Sequence, residues 1–415
     1  MAFAYRGGVL CAEQVSLEEI ARRFGTPCYV YSRAVIEENF ARFSNALAGR
    51  KSLIAYSVKA NSNLAVLALM ARLGAGFDIV SGGELARVLA AGGDPRKVVF
   101  SGIGKTQAEI EQALHAGILC LNLESEAELE RVSATAARLG VRAPVAFRVN
   151  PDVDAKTHPY ISTGLKDNKF GIAYADAERV YRDAARRKSL ELVGIGCHIG
   201  SQLTSAAPFV DAAARILELT ERLARKGIEL SHIDLGGGFG IRYKDESPAP
   251  IGEFLNGALR ALAGRKETLI VDPGRSIVGE AGALLTRVEY LKPGEAKNFA
   301  VVDAAMNDLI RPALYGAWHE VRQVHEAESD AVAGVYDIVG PVCESADFLA
   351  RERELALRPG SLLAVMSAGA YGMVMSSNYN TRPRAAEVLV SGASASLIRE
   401  RENVNQLFAA ERPLS

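Results

Sequence analysis

The sequence predicts a (β/α)8 TIM-type barrel followed by a second, all-β domain. Three observations carry this. From about residue 50, short β-branched apolar runs alternate with longer amphipathic stretches. Eight such units fit within roughly 250 residues, the usual span of such a barrel. After residue 280 the helical stretches give way to strand-like runs separated by turns. Lys+Arg total 48 against 49 Asp+Glu, so the chain lacks the cationic excess of a nucleic-acid or membrane-surface binder. A hydrophobic fraction of 49% excludes disorder.

In order, TPCYVYS (26–32) reads as a strand expected to pair with the C-terminal domain, and a helix follows over about 33–48. The eight barrel runs are LIAYSV (53–58), GFDIVS (76–81), KVVFSG (97–102), ILCLNL (118–123), PVAFRV (144–149), ELVGIGCH (191–198), LSHIDL (230–235) and TLIVD (268–272). Between them lie stretches with apolar residues three and four apart, such as 63–74, 83–92, 126–140 and 208–227, several ending at Gly. A doubly wound open sheet is the alternative. It often carries a glycine-rich loop after its first strand, whereas the first run here leads into Lys59. The barrel is assigned to 33–278, and the β domain to 1–32 with 279–415. Strands of the latter are expected at 282–291, 298–306, 334–342, 361–369 and 385–392. The charge-free stretch 360–381 is too rich in Gly, Ser and Asn for a membrane span and reads as loop and strand near a ligand. Five widely spaced cysteines without a CxxC pair give no disulfide framework or zinc site, and a reducing cytoplasm is expected. Arg6 and Glu13 interrupt the opening residues, so no signal peptide is expected.

Barrel enzymes work at the C-terminal ends of their strands. Lys59 follows the first run, His198 and Ser201 the sixth, LGGGFG (235–240) the seventh, and DPGRS (272–276) closes the eighth. Lys59 is either a strand-end lysine reaching for water or a Schiff-base lysine. The glycines 236–238 make either a tight turn or a cradle of N–H groups for a phosphate, and Gly274 and Ser276 on the next loop favour the second. His198 could act as base, metal ligand or stacking surface, and no metal-ligand spacing accompanies it. Asp272 needs a cation: Arg275, or a protonated ring nitrogen. A lysine for an aldehyde, amides for a phosphate and an acid for a pyridinium nitrogen together match pyridoxal 5′-phosphate.

With these residues in view, the chain resembles the diaminopimelate decarboxylase family, fold-type III pyridoxal-phosphate enzymes related to alanine racemase. The resemblance rests on AYSVKAN (55–61), FDIVSGGE (77–84), HPYISTGLKDNKFG (158–171), CHIGSQ (197–202), DLGGGFG (234–240), DPGRS (272–276), NDLIRPALYGAWH (307–319), GPVCESADFLA (341–351) and GAYGMVMSSNYN (369–380). It implies that Lys59 bonds the cofactor and His198 stacks on its ring. Ser201, Gly238 and the backbone of Asp272, Pro273, Gly274 and Arg275 would hold the phosphate, with Tyr371. Cys343 would be the proton donor. Arg275, Arg311, Tyr315, Glu344 and Tyr371 would bind an amino-acid substrate bearing a distal carboxylate and ammonium. It also implies a homodimer with a shared site, Cys343 and Glu344 serving the partner's Lys59. Two positions depart from the family pattern: Asp272 replaces the usual Glu, one methylene longer, and Ala346 replaces a Gly.

Other readings are a decarboxylase of the same fold acting on ornithine, arginine or carboxynorspermidine, an amino-acid racemase, and a non-catalytic pyridoxal-phosphate carrier. A racemase would favour a cation at the ring nitrogen, against Asp272. Carriers usually end after the barrel, whereas this chain continues through Cys343 and Tyr371.

Overall fold

The computed structural model describes residues 3–153 and 169–414. It divides into two compact units: Phe40–Ile241 with Ser247–Ser276, and the residues up to Asn39, Arg242–Glu246 and from Ile277 onward.

The first unit holds a closed barrel of eight parallel strands: β1 (Ser52–Ser57), β2 (Gly76–Ile79), β3 (Val98–Phe100), β4 (Cys120–Leu123), β5 (Ala143–Asn150), β6 (Leu190–Gly196), β7 (His232–Asp234) and β8 (Thr268–Val271). Each of the eight runs read from sequence supplies one strand. Closure comes from β8 pairing with β1, Ile270 opposite Leu53, and from β4 pairing with β5, Leu121 opposite Val145. Every residue of β2, β3 and β4 is buried, which is why these strands read as unbroken apolar runs instead of alternating ones. Ala55, Val99, Cys120, Ala146 and Ile270 cluster as part of the core.

The helices between strands begin and end on chemistry visible in the chain. Thr106 and Glu109 form a reciprocal capping box on Gln107–Ala116. The hydroxyls of Ser81 and Ser125 cap Gly82–Ala90 and Glu126–Leu139. Gly117 and Gly140 end their helices in the left-handed conformation.

In the second unit, Cys28–Ser32 pairs antiparallel with Gly282–Lys292 and parallel with Ala386–Ser391, the pairing expected from sequence. Alternation works here in the ordinary way. Tyr29, Tyr31 and Leu284 fill one core, while Cys28, Val30, Ala283 and Leu285 fill another. Asn298–Val302 and Leu362–Val365 fall within expected runs, and Val332–Val339 overlaps the run expected at 334–342, starting two residues earlier. Phe348–Leu357, a ten-residue strand, does not. Its centre is the charged run Arg351–Glu354, Glu352 has φ +55°, and its register against Val332–Val339 shifts twice. A bulge breaks the period-two pattern that would reveal the strand.

Candidate active site

The C-terminal end of the barrel gathers a lysine, three buried acids and a glycine loop, built strand by strand. β1 ends at Ser57, and one turn of 3-10 helix, Val58–Ala60, carries Lys59. The Lys59 ammonium lies 3.0 Å from Oδ2 of Asp78, a buried residue of β2. Asp78 also accepts from the hydroxyls of Ser57 (3.2 Å) and Ser101 (2.6 Å). The carboxylate is thus fixed on both oxygens, and the lysine is held by a charge-assisted hydrogen bond.

Asp234 ends β7 and accepts from the Gly236 N–H at 2.9 Å, which starts the glycine turn. Gly236 and Gly238 have φ of +74° and +86°, a region that glycine adopts without the Cβ penalty. Close approach makes glycine necessary as well. A Cβ at 237 would strike the Asp272 carbonyl and carboxylate, and one at 238 the Gly200 carbonyl. Phe239 then anchors the loop in an aromatic cluster, 5.1 Å from Phe43, 5.3 Å from Phe209 and 5.4 Å from Phe254. The next loop is stitched to this one by Asp272 N–H donating to the Gly236 carbonyl, and to β1 by Ser57 N–H donating to the Pro273 carbonyl. Gly274 sits where a Cβ would meet those of Ser57 and Ala60 at 2.9 Å. The loops after β7 and β8 therefore present backbone edge to edge, with Ser201 alongside, its hydroxyl accepting from Arg275 at 3.0 Å.

Asp272 is buried, and its Oδ1 has no hydrogen-bond partner among the described residues. The Nδ1 of His198 lies 3.9 Å from that oxygen. Burial, reinforced by the charges of Asp78 and Asp234, pushes the Asp272 carboxyl well above the carboxylate range. Asp234 is pushed up to about 7, mainly by burial. His198 moves the other way, well below its ordinary value, through burial and the cations Arg148 and Lys59. It is therefore a neutral ring. Its Nδ1 accepts from the Gly237 N–H at 3.4 Å, which puts its proton on Nε2. Arg148 donates to the His198 carbonyl at 3.3 Å and pairs with Glu124 at 3.4 Å.

The second unit carries the remaining residues named from sequence. Arg311 opens a short helix, Arg311–Tyr315, and is buried. Its guanidinium lies over the Tyr243 ring at 4.9 Å and near that of Tyr315 at 6.0 Å. Cys343 and Glu344 are exposed on one loop. The Cys343 N–H donates to the Asn380 side chain at 3.0 Å, and the Tyr379 hydroxyl donates to Glu344 at 2.6 Å. Tyr371 has φ +55°, a conformation that costs a non-glycine residue ~1–2 kcal/mol and concentrates at functional sites.

The structure thus brings Lys59, His198, Ser201, Gly238, Asp272, Pro273, Gly274 and Arg275 to one mouth. Arg275 donates to Ser201, and the Oδ1 of Asp272 has no hydrogen-bond partner among the described residues. Four residues of this mouth escaped the sequence reading: Asp78, Ser101, Arg148 and Asp234. A buried acid inside GFDI was the available signal for Asp78, since an unpaired carboxylate in an apolar strand needs a partner. In HPYISTGLKDNKFG, residues 158–168 lie outside the described residues. Among the described residues no helix is long and apolar enough to cross a membrane.

Residues 33–279 match the family model described as pyridoxal-dependent decarboxylase, pyridoxal binding domain. The chain is 61% identical over 409 residues to diaminopimelate decarboxylase of Pseudomonas aeruginosa, covering 99% of this chain and 98% of that protein. The Vibrio cholerae diaminopimelate decarboxylase is 55% identical over 408 residues, 98% of this chain and 97% of that protein. Among solved structures, that of Helicobacter pylori diaminopimelate decarboxylase complexed with L-lysine is similar with a TM-score of 0.92 and 43% identity, covering 95% of this chain and 99% of that one. A lysine poised at the mouth of a parallel barrel, a glycine loop beside a buried orphan acid and whole-length identity above one half converge on one conclusion: the chain belongs to the diaminopimelate decarboxylase family of pyridoxal-dependent decarboxylases.

Proposed function

We propose that the protein decarboxylates meso-2,6-diaminopimelate to L-lysine and CO2, the last step of lysine biosynthesis by the diaminopimelate route, with pyridoxal 5′-phosphate as cofactor. The observation that carries this reading is the buried Asp272 Oδ1, without a hydrogen-bond partner among the described residues, at the same barrel mouth as Lys59.

The residues present fit that cofactor. A protonated ring nitrogen is the donor Asp272 lacks, and the backbone edges of the glycine loops with Ser201 suit a phosphate. When bound, the cofactor supplies an electron sink for the charge left on the α-carbon as CO2 departs. Lys59 would hold it covalently, with Asp78 keeping the amine in place. Asp272 would pair with a protonated ring nitrogen, and the neutral His198 ring would offer a stacking face. Ser201, Gly238, the backbone of 272–275 and Tyr371 take the phosphate.

On the substrate side, Arg311 and Tyr315 receive the distal carboxylate and Glu344 the distal ammonium, while Arg275 and Tyr371 orient the reacting end. Tyr379 keeps Glu344 in place through its 2.6 Å hydrogen bond. Cys343 returns a proton to the carbon that has lost CO2. Arg311 supports diaminopimelate over ornithine or arginine, because a buried guanidinium recognises a distal carboxylate that those two substrates lack. Turnover assays with meso-diaminopimelate, ornithine and arginine side by side test the assignment. Diaminopimelate alone should turn over at an enzymatic rate, and Arg311→Ala should raise its KM and weaken the selection against ornithine. Faster turnover of ornithine by the unmodified protein would overturn the substrate.

We further propose a homodimer, in a reducing cytoplasm, in which Cys343 and Glu344 of one subunit complete the site containing Lys59 of the other. Exposure of both residues on their loop supports it. Lys59→Ala protein mixed one to one with Cys343→Ala/Glu344→Ala protein should recover roughly a quarter of wild-type activity, since about half the dimers are hybrids with one intact site each. Demonstrated subunit exchange without recovery would place both halves of the site in one chain.

A further inference from the structure

Arg311 is a long, rotamer-rich side chain, and fixing such a side chain only when ligand arrives reduces affinity. Here it is fixed in advance. Its Nε–H donates to Nε2 of His319 at 3.4 Å, and its guanidinium lies against Tyr243. His319 is fully buried, and its Nδ1 lies 2.8 Å from the Met366 carbonyl. A carbonyl oxygen only accepts, so the proton sits on Nδ1 and the lone pair of Nε2 faces the arginine. A neutral histidine in one tautomer satisfies both contacts.

The histidine is itself held by backbone. Met366 N–H donates to the Glu320 carbonyl at 2.8 Å, and Val321 pairs with Val365, which sets Met366 beside His319. Arg353 donates to the His319 carbonyl at 3.2 Å while stacking on Trp318. The Tyr243 ring meets His319 edge-on, 5.3 Å between centroids, and the Tyr243 N–H is fixed to Glu246 at 3.0 Å.

We infer that His319, with Tyr243, is a specificity-determining positioning residue: it presets the Arg311 guanidinium for the substrate carboxylate that survives decarboxylation. This rests on the reading that Arg311 receives that carboxylate. With Nε engaged by His319, the carboxylate is taken by the Nη1–Nη2 edge, two parallel charge-assisted hydrogen bonds. A ligand without that carboxylate gains nothing from the preset arginine, so His319 acts on discrimination and leaves the cofactor side of the site alone.

L-lysine and 1,5-diaminopentane differ by the one carboxylate, so the ratio of their affinities, measured by titration calorimetry on holoenzyme, isolates its recognition. Arg311→Met should lower the ratio roughly 100-fold. If it does not, the reading of Arg311 fails, whatever His319 does. His319→Asn keeps a donor for Met366 but cannot reach Arg311. It should lower the ratio roughly tenfold through weaker lysine binding, the order expected for one hydrogen bond to a charged group. His319→Gln keeps an acceptor within reach of Nε and should restore most of that loss. Diaminopentane affinity, unchanged in both variants, reports that the fold is intact. If Arg311→Met collapses the ratio while the Asn and Gln variants behave alike, both normal or both depressed, the positioning role is overturned.

Discussion

Lys59→Ala is expected to purify without a borohydride-reducible bond to its cofactor and to lose turnover by several orders of magnitude, the scale of covalent catalysis removed. The effect should be the largest of any single substitution in the protein. Among the described residues no other lysine shares the strand-end turn that brings Lys59 to within 3.0 Å of Asp78 at the barrel mouth. Lys105, which follows another barrel strand, is buried and bound to Glu128 and to the carbonyls of Gly102 and Asn122. Borohydride reduction followed by peptide mapping checks the result. A trapped cofactor still found on the variant would move the covalent role to another residue.

Asp272→Ala is expected to bind cofactor yet decarboxylate 10²–10³-fold more slowly, because a preorganised charge of this kind contributes about 3–4 kcal/mol to the transition state. Asp is one methylene shorter than the Glu usual at this position, and near-normal turnover in the variant would show that another group serves the ring nitrogen. The same residue gives a pH signature in the cofactor-free protein. Its carboxyl is pushed well above 3.8 by burial first and then by Asp78 and Asp234. The folded state therefore keeps a proton that the unfolded chain releases once pH rises past about 4. More protons on the native state means that stability falls as pH rises. Asp272→Asn removes this penalty, so its melting temperature relative to wild type should climb from pH 5 to pH 8. A difference that stays flat across that range would mean the site is not charged by rising pH.

The barrel was legible because its strands are short, buried on both faces and separated by helices with explicit caps, so each run stands out locally. The residues at the barrel mouth were legible for a related reason. Glycines whose Cβ atoms would collide with neighbouring backbone, and a lysine leaving an apolar strand, are exceptions to local rules that the sequence displays directly. The strand Phe348–Leu357 was not legible, because its bulge at Glu352 puts charged residues out of phase with the pleat.

What the sequence determined by itself is the order of elements and the residue types offered at the end of each strand, since both follow from neighbours along the chain. What only the tertiary structure decided is the partner each of those residues takes. Asp78 meets Lys59 from 19 residues away, Arg275 reaches Ser201 across 74, and Arg311 is held by a histidine whose tautomer is set by a carbonyl 47 residues further on. Partner choice depends on which atoms packing brings within about 3 Å, and on which charges burial then forces to pair, and neither is a property of any local segment.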